Sequence, residues 1–174
     1  MPTPLVVDAN IWMNLHKSGI LSKVVGAGYG LIMPDVVLEE ANHPNHQDGL
    51  YRELESLVSD EIITLKELNG DEVDLAVTLQ DRYQKLTTND SFALALAISQ
   101  RIVLVTGDKH LRRAAIDENA DVHGVLWLLK RMVDECILEP LQACNALEQM
   151  LAHGARLPKT ECQSFIARWR RTSG

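Results

Sequence analysis

The residues best suited to chemistry in this chain are four acids set far apart: Asp8, Glu40, Asp90 and Asp108. Leu5-Val6-Val7 runs directly into Asp8, and Ile102-Val103-Leu104-Val105 passes through Thr106 and Gly107 into Asp108. Apolar runs without polar alternation read as strands buried on both faces. In open parallel sheets, sites form outside the carboxyl ends of the strands. Carboxylates gathered there repel one another, and some would stay protonated. Hard, oxygen-seeking cations such as Mg²⁺ or Mn²⁺ relieve that repulsion. Such ions also activate water and steady the charge on a phosphodiester under attack. Each acid alone has a plainer reading: Asp8, Asp90 and Asp108 suit helix N-termini, and Glu39-Glu40 suits a solvated helix face.

The elements that must position these acids follow from periodicity and punctuation. Helices are expected over Asn10 to Lys17 and Ile20 to Ala27, with Gly28 and Gly30 supplying a stop. A strand at Leu31 to Met33 leads through Pro34 into helical Val36 to Ala41, which carries Glu40. The polar stretch Asn42 to Gly49 reads as a loop, Leu50 to Ser59 as a helix and Ile62 to Leu65 as a third strand. Asp71 to Leu86 has the apolar spacing of an amphipathic helix. Thr87-Thr88-Asn89 caps a helix from Asp90 to Gln100 whose centre is apolar all round, so it belongs inside. Ile102 to Thr106 is the fourth strand, Asp108 to Glu118 a helix and Asp121 to His123 a short last strand. Three helices follow, at Gly124 to Cys136, Pro140 to His153 and Pro158 to Arg170. Alternating strands and helices give an α/β fold with a parallel sheet covered on both faces.

The 174 residues are enough for one domain with a sizeable core. No apolar run approaches the roughly 20 residues that span a membrane, and Met1-Pro2-Thr3-Pro4 does not resemble a leader. The three cysteines match no CxxC spacing and read as reduced thiols of a cytoplasmic protein. The net charge of −7 weakens a nucleic-acid reading but suits an acidic cluster that holds cations. A P-loop is absent. Asn10 stands where a haloacid-dehalogenase-like phosphotransferase needs its second Asp.

Four segments in order, Val7-Asp8-Ala9-Asn10, Pro34 to Glu40, Asp90 to Ala97 and Val105-Thr106-Gly107-Asp108-Lys109, resemble the PIN-domain nucleases over about the first 125 residues. The Val122 to Leu129 stretch resembles, more loosely, the branch found as toxins of prokaryotic type II (virulence-associated) toxin–antitoxin systems. The resemblance implies a three-layer α/β/α sandwich over residues 1–136, with residues 137–174 as a helical extension packed on the same domain. It implies an endoribonuclease dependent on Mg²⁺ or Mn²⁺, with Asp8, Glu40, Asp90 and Asp108 as the acidic tetrad. Asp8, Asp90 and Asp108 would bind metal, Glu40 (or Glu39) would bind metal or orient the attacking water, and Asn10 and Thr106 would support the pocket. In-line attack by water would leave a 5′-phosphate and a 3′-hydroxyl. The implied partners are an RNA substrate, a cognate antitoxin and a second copy of the chain. The competing functions are a non-catalytic PIN-like protein-binding module and a PIN-like nuclease acting on DNA.

Beyond the acids, Lys109, Arg112 and Arg113 lie just past Asp108 and are candidates for RNA phosphates. His43-Pro44-Asn45-His46 has too few further ligands for a transition metal and reads as loop. Arg168-Trp169-Arg170-Arg171 reads as a frayed basic terminus, and Trp12 and Trp127 as core.

Overall fold

The computed structural model of the chain describes residues 3–42 and 49–172. The fold is built outward from β1 (Pro4–Val7), whose Leu5, Val6 and Val7 are wholly buried. Then follow α1 (Ala9–Lys17), α2 (Leu21–Gly26), β2 (Gly30–Pro34), α3 (Asp35–Ala41), α4 (Leu50–Ser59), β3 (Ile63–Lys66), α5 (Gly70–Arg82) and α6 (Thr88–Gln100). The chain continues through β4 (Val103–Val105), α7 (Lys109–Asp117), β5 (Val122–His123), α8 (Val125–Asp134), α9 (Pro140–Ala152) and α10 (Lys159–Thr172). The sheet has the order β3-β2-β1-β4-β5, and every pair is parallel.

Strand alternation sorts the core into two layers. Leu5, Val7, Leu31, Met33, Ile63 and Val105 face a cluster shared with α1 to α4 and α8 to α10. Val6 and Leu104 face the opposite cluster, with α5, α6 and α7. This is an α/β/α sandwich around a parallel sheet. Helix α6 has five consecutive buried residues, Ala93 to Ala97. That burial explains its lack of an apolar stripe: it lies between α5 and the sheet, and water reaches little of it.

Local chemistry shifts some boundaries. The amphipathic spacing predicts one helix to Leu86, but α5 stops at Arg82. Tyr83 leaves the helical region, its N–H closes on the Leu79 carbonyl, and its hydroxyl donates to Glu118. Thr87 alone caps α6, so Thr88 and Asn89 already lie in its first turn. The 168–171 stretch is no frayed end. Helix α10 runs on to Thr172, and Trp169 is buried against Phe165, ring centroids 5.0 Å apart. Trp12 is fully buried and its indole N–H donates to the Val7 carbonyl at 3.0 Å, whereas Trp127 is only partly buried. Trp127 packs against the core at its margin, and its ring also borders a surface hollow. Among the described residues no helix is long and apolar enough to cross a membrane. His43 and His46 lie outside the described residues.

Candidate active site

The chain adds β2 and β3 on one side of β1, then β4 and β5 on the other. A crevice opens beyond the strand ends at such a reversal, between β1 and β4. Asp8 leaves β1 there. Its backbone N–H donates to the Val105 carbonyl at 3.0 Å, which ties the two strand ends together. Its Oδ1 accepts from the Ala9 N–H at 2.7 Å, capping α1, and its Oδ2 accepts from the Thr106 hydroxyl at 2.8 Å. The Thr106 Oγ1 in turn accepts from the Asp108 N–H at 3.1 Å. One buried hydroxyl thus links the first and last acids of the set.

Asp108 caps α7, its Oδ1 accepting from the N–H groups of His110 and Leu111. Asp90 sits at the third position of α6 in a reciprocal capping box with Thr87. Glu40, near the end of α3, accepts at Oε2 from the Asn89 side-chain amide at 2.6 Å. Capping and site-building are therefore the same act: the caps aim three helix starts at one edge. Asn10 lies over the β4–α7 turn. A Cβ on Gly107 would meet its Oδ1 at 3.0 Å, so a bare glycine lets that amide approach beside Asp108.

The electrostatics show that the acids share a field. Asp8 is buried, and its pKa is pushed up to about 7, first by desolvation and further by the charges of Asp90 and Glu40. The Thr106 and Ala9 hydrogen bonds oppose the rise. Asp90 is also raised, mainly by burial, with Asp108 and Glu40 adding repulsion against its Thr87 bonds. Glu40 is thus the glutamate whose charge bears on both aspartates. Among the described residues no three His, Cys, Asp or Glu side chains already form a closed metal-holding group. The donor chemistry nonetheless fits a hard cation. Asp90, Asp108 and Glu40 each engage one carboxylate oxygen in the hydrogen bonds above and keep the other uncommitted among the described residues.

Of the basic residues expected here, Lys109 and Arg112 border a hollow that reaches Thr106 and Gly107. Arg113 points elsewhere. It pairs with Asp117, Nε to Oδ1 3.1 Å, and lines a separate hollow with Tyr83 and His110. From the sequence Asn89 has a capping role only, whereas in the fold its side-chain amide holds Glu40. Thr87 alone suffices for the cap, which leaves the Asn89 side chain in the first turn available to Glu40.

Replacing Thr106 with Val removes both the donor to Asp8 and the acceptor for Asp108. The Asp8 carboxyl should then titrate above its wild-type value near 7, because the bond that opposed its rise is gone. The stranded Asp108 N–H should cost about 1–3 kcal/mol. Carbon-13 titration of the aspartates and thermal unfolding check the two effects. An unchanged Asp8 midpoint removes the bridge from the account.

Asp8 and Asp108 thus stand at the reversal point of a parallel α/β/α sandwich. A family model described as a PIN domain matches residues 4–171, and the chain belongs to that family. Among solved structures the fold is similar to that of PAE2754 from Pyrobaculum aerophilum. The TM-score is 0.55 and the identity 19%, over 77% of this chain and 99% of that one. No curated protein matches the chain. PIN domains are generally nucleases and typically use divalent metals, so the family points to a hydrolase.

Proposed function

We propose that the chain is a metal-dependent endoribonuclease with Asp8, Glu40, Asp90 and Asp108 as its acidic site, and that it acts as the toxin of a type II toxin–antitoxin pair. One observation supports the catalytic part: carboxylates from four separate segments come together, Thr106 joining Asp8 to Asp108 and Asn89 of α6 binding Glu40, with the Asp8 pKa pushed up by burial and by Asp90 and Glu40. Asp8, Asp90 and Asp108 would hold Mg²⁺ or Mn²⁺. When bound, the cation neutralises the carboxylates and stabilises charge developing on the phosphoryl oxygens. Thr106 keeps the Asp8 carboxylate fixed, and Asn89 steers Glu40. Glu40 is solvent-exposed and has a free oxygen with which to orient an attacking water and take its proton. Cleavage would leave a 5′-phosphate and a 3′-hydroxyl. The toxin assignment draws on the Val122 to Leu129 resemblance, and a small cognate antitoxin would mask the crevice.

The test is cleavage of single-stranded RNA by purified chain with Mg²⁺ or Mn²⁺, beside the Asp90→Asn variant and a DNA strand of the same sequence. We expect RNA cleavage that EDTA stops, reduced roughly 10²–10⁴-fold in the variant. No cleavage with either ion, or equal cleavage by the variant, ends the nuclease proposal. Faster cutting of the DNA strand moves the substrate assignment to DNA. Co-expression with the neighbouring reading frame tests the toxin part, which fails if growth is unaffected by the chain alone.

A further inference from the structure

Two adjoining hollows lie beside Asp108 on the side of the last helices. The first, of about 300 Å³, is bordered by Lys17, Asn10, Asp108, His153 and Arg156. The second, of about 410 Å³, is bordered by Lys109, Arg112, His123, Trp127 and Arg156, with one acid, Glu161. They share Gly107, Arg156 and Leu157, so they form one trench between the β4–α7 turn and the α9–α10 connection. The chain as a whole is acidic, with a net charge of −7. Yet Lys17, Lys109, Arg112 and Arg156 are all exposed here, and none is in an ion pair among the described residues. Arg82, Arg113, Lys130, Arg131 and Arg170 are tied to carboxylates, while Lys23, Arg52, Lys85 and Arg101 also lie outside ion pairs among the described residues, so what sets these four apart is their place along one trench. Four unneutralised cations along one trench provide a track for a polyanion.

The trench also has a flat wall. The His123 and Trp127 rings stack with centroids 4.2 Å apart and planes 8° from parallel. The Arg131 guanidinium lies 5.4 Å from the Trp127 centroid and 5.1 Å from that of Tyr29. Arg131 is held in turn by Glu135 at 2.7 Å and the Thr3 hydroxyl at 2.8 Å. The column Tyr29–Arg131–Trp127–His123 is therefore anchored at its inner end. Its last ring, His123, is a third exposed and borders the trench, with Nε2 3.0 Å from Asp121. An acidic peptide would use the cations but has no need of a ring face. An unpaired nucleobase uses both, whereas a base inside a duplex is already stacked on both sides.

We infer that this trench is a track for single-stranded RNA. Lys17, Lys109, Arg112 and Arg156 carry its phosphates, and the outer face of His123 stacks on an unpaired base beside the cleavage point. The inference rests on the nuclease reading for what happens at the acids. It goes beyond that reading in giving the α9–α10 connection a place in substrate binding.

The experiment separates binding from cleavage. The full chain carrying Asp8→Asn is titrated in EDTA with a labelled ten-nucleotide single-stranded RNA and with an abasic oligomer of the same length, over a range of salt. Arg156→Ala and Arg112→Ala should weaken both oligomers about 3- to 10-fold and reduce the salt slope by about 0.7 each. His123→Ala should weaken the RNA roughly 5- to 100-fold and leave the abasic oligomer unchanged, while His123→Phe should restore binding. Equal affinity for the two oligomers, His123→Phe as weak as His123→Ala, unaltered salt slopes, or a polyglutamate peptide competing as well as RNA would each overturn it. Binding as expected in a chain that never cuts RNA removes the nuclease reading and keeps the trench. Asp8-dependent cleavage with no effect of these variants on binding does the reverse.

Discussion

Asp8→Asn is expected to make the metal-free protein more stable at neutral pH while abolishing the nuclease activity proposed for it. The buried Asp8 carboxyl has its pKa pushed up from 3.8 to about 7. Below pH 3.8 it is protonated in both native and unfolded chains and contributes no difference. Between 3.8 and about 7 the unfolded chain ionises and the native chain holds its proton, so native stability falls as pH rises. Above about 7 the native chain carries the full penalty, on the order of 4 kcal/mol for a shift of this size. Asparagine removes the charge and remains a good cap for α1. Its amide nitrogen, however, turns a second donor toward Thr106 in place of an acceptor. The net gain should therefore be about 1–3 kcal/mol, raising the melting temperature at pH 8 by roughly 2–12 °C. Thermal scans in EDTA from pH 4 to 9 check this. Wild-type stability should fall across that range and the variant's curve should be flatter, with Mn²⁺ restoring the wild type at pH 8 but not the variant. A wild-type curve flat with pH, or a variant less stable at pH 8, would show that Asp8 is not a strained carboxylate.

The elements around Asp8 were legible because each announces itself in a short window. The runs before Asp8 and Asp108 are apolar since both faces of β1 and β4 are covered, and α6 lacks a stripe since it lies inside. Asp8 and Asp108 stood out because they fall where strands end and helices begin, and the convergence of those ends is set by parallel order alone. Side-chain direction was less legible. Arg112 and Arg113 are neighbours in sequence, yet one borders the trench and the other a hollow shared with Tyr83, because adjacent helical residues point about 100° apart. Arg156 lies nearly fifty residues after Asp108 in sequence, so only tertiary folding places it at the trench. Trp169 sits among arginines, and nothing local shows that its own side of α10 meets α9.

That last contact carries the second large expectation: a chain ending at Cys136 should not fold. The helices beyond it look like an addition to a finished sandwich, since all five strands are already complete. The packing says otherwise. Ala143, Cys144, Ala146, Leu147 and Met150 of α9, with Cys162 and Trp169 of α10, are buried in the same cluster as Ile11, Trp12 and Leu15 of α1. Helix α9 packs on both α1 and α8, so its removal bares the back of the helix that begins at Asp8. Each large apolar side chain uncovered costs about 1.5–3 kcal/mol. Four or five such losses, on both sides of the vacated interface, use up the 5–15 kcal/mol that a domain of this size has in reserve. The truncated chain should keep some helical circular dichroism, lose its near-ultraviolet signal and show no cooperative melting transition, while Leu147→Ala in the full chain should melt cooperatively with a loss of about 2–5 kcal/mol. A 1–136 fragment that unfolds in one sharp transition near the full-length temperature would mean that α9 and α10 rest on the sandwich without supporting it. The trench wall they build would then be separable from the fold.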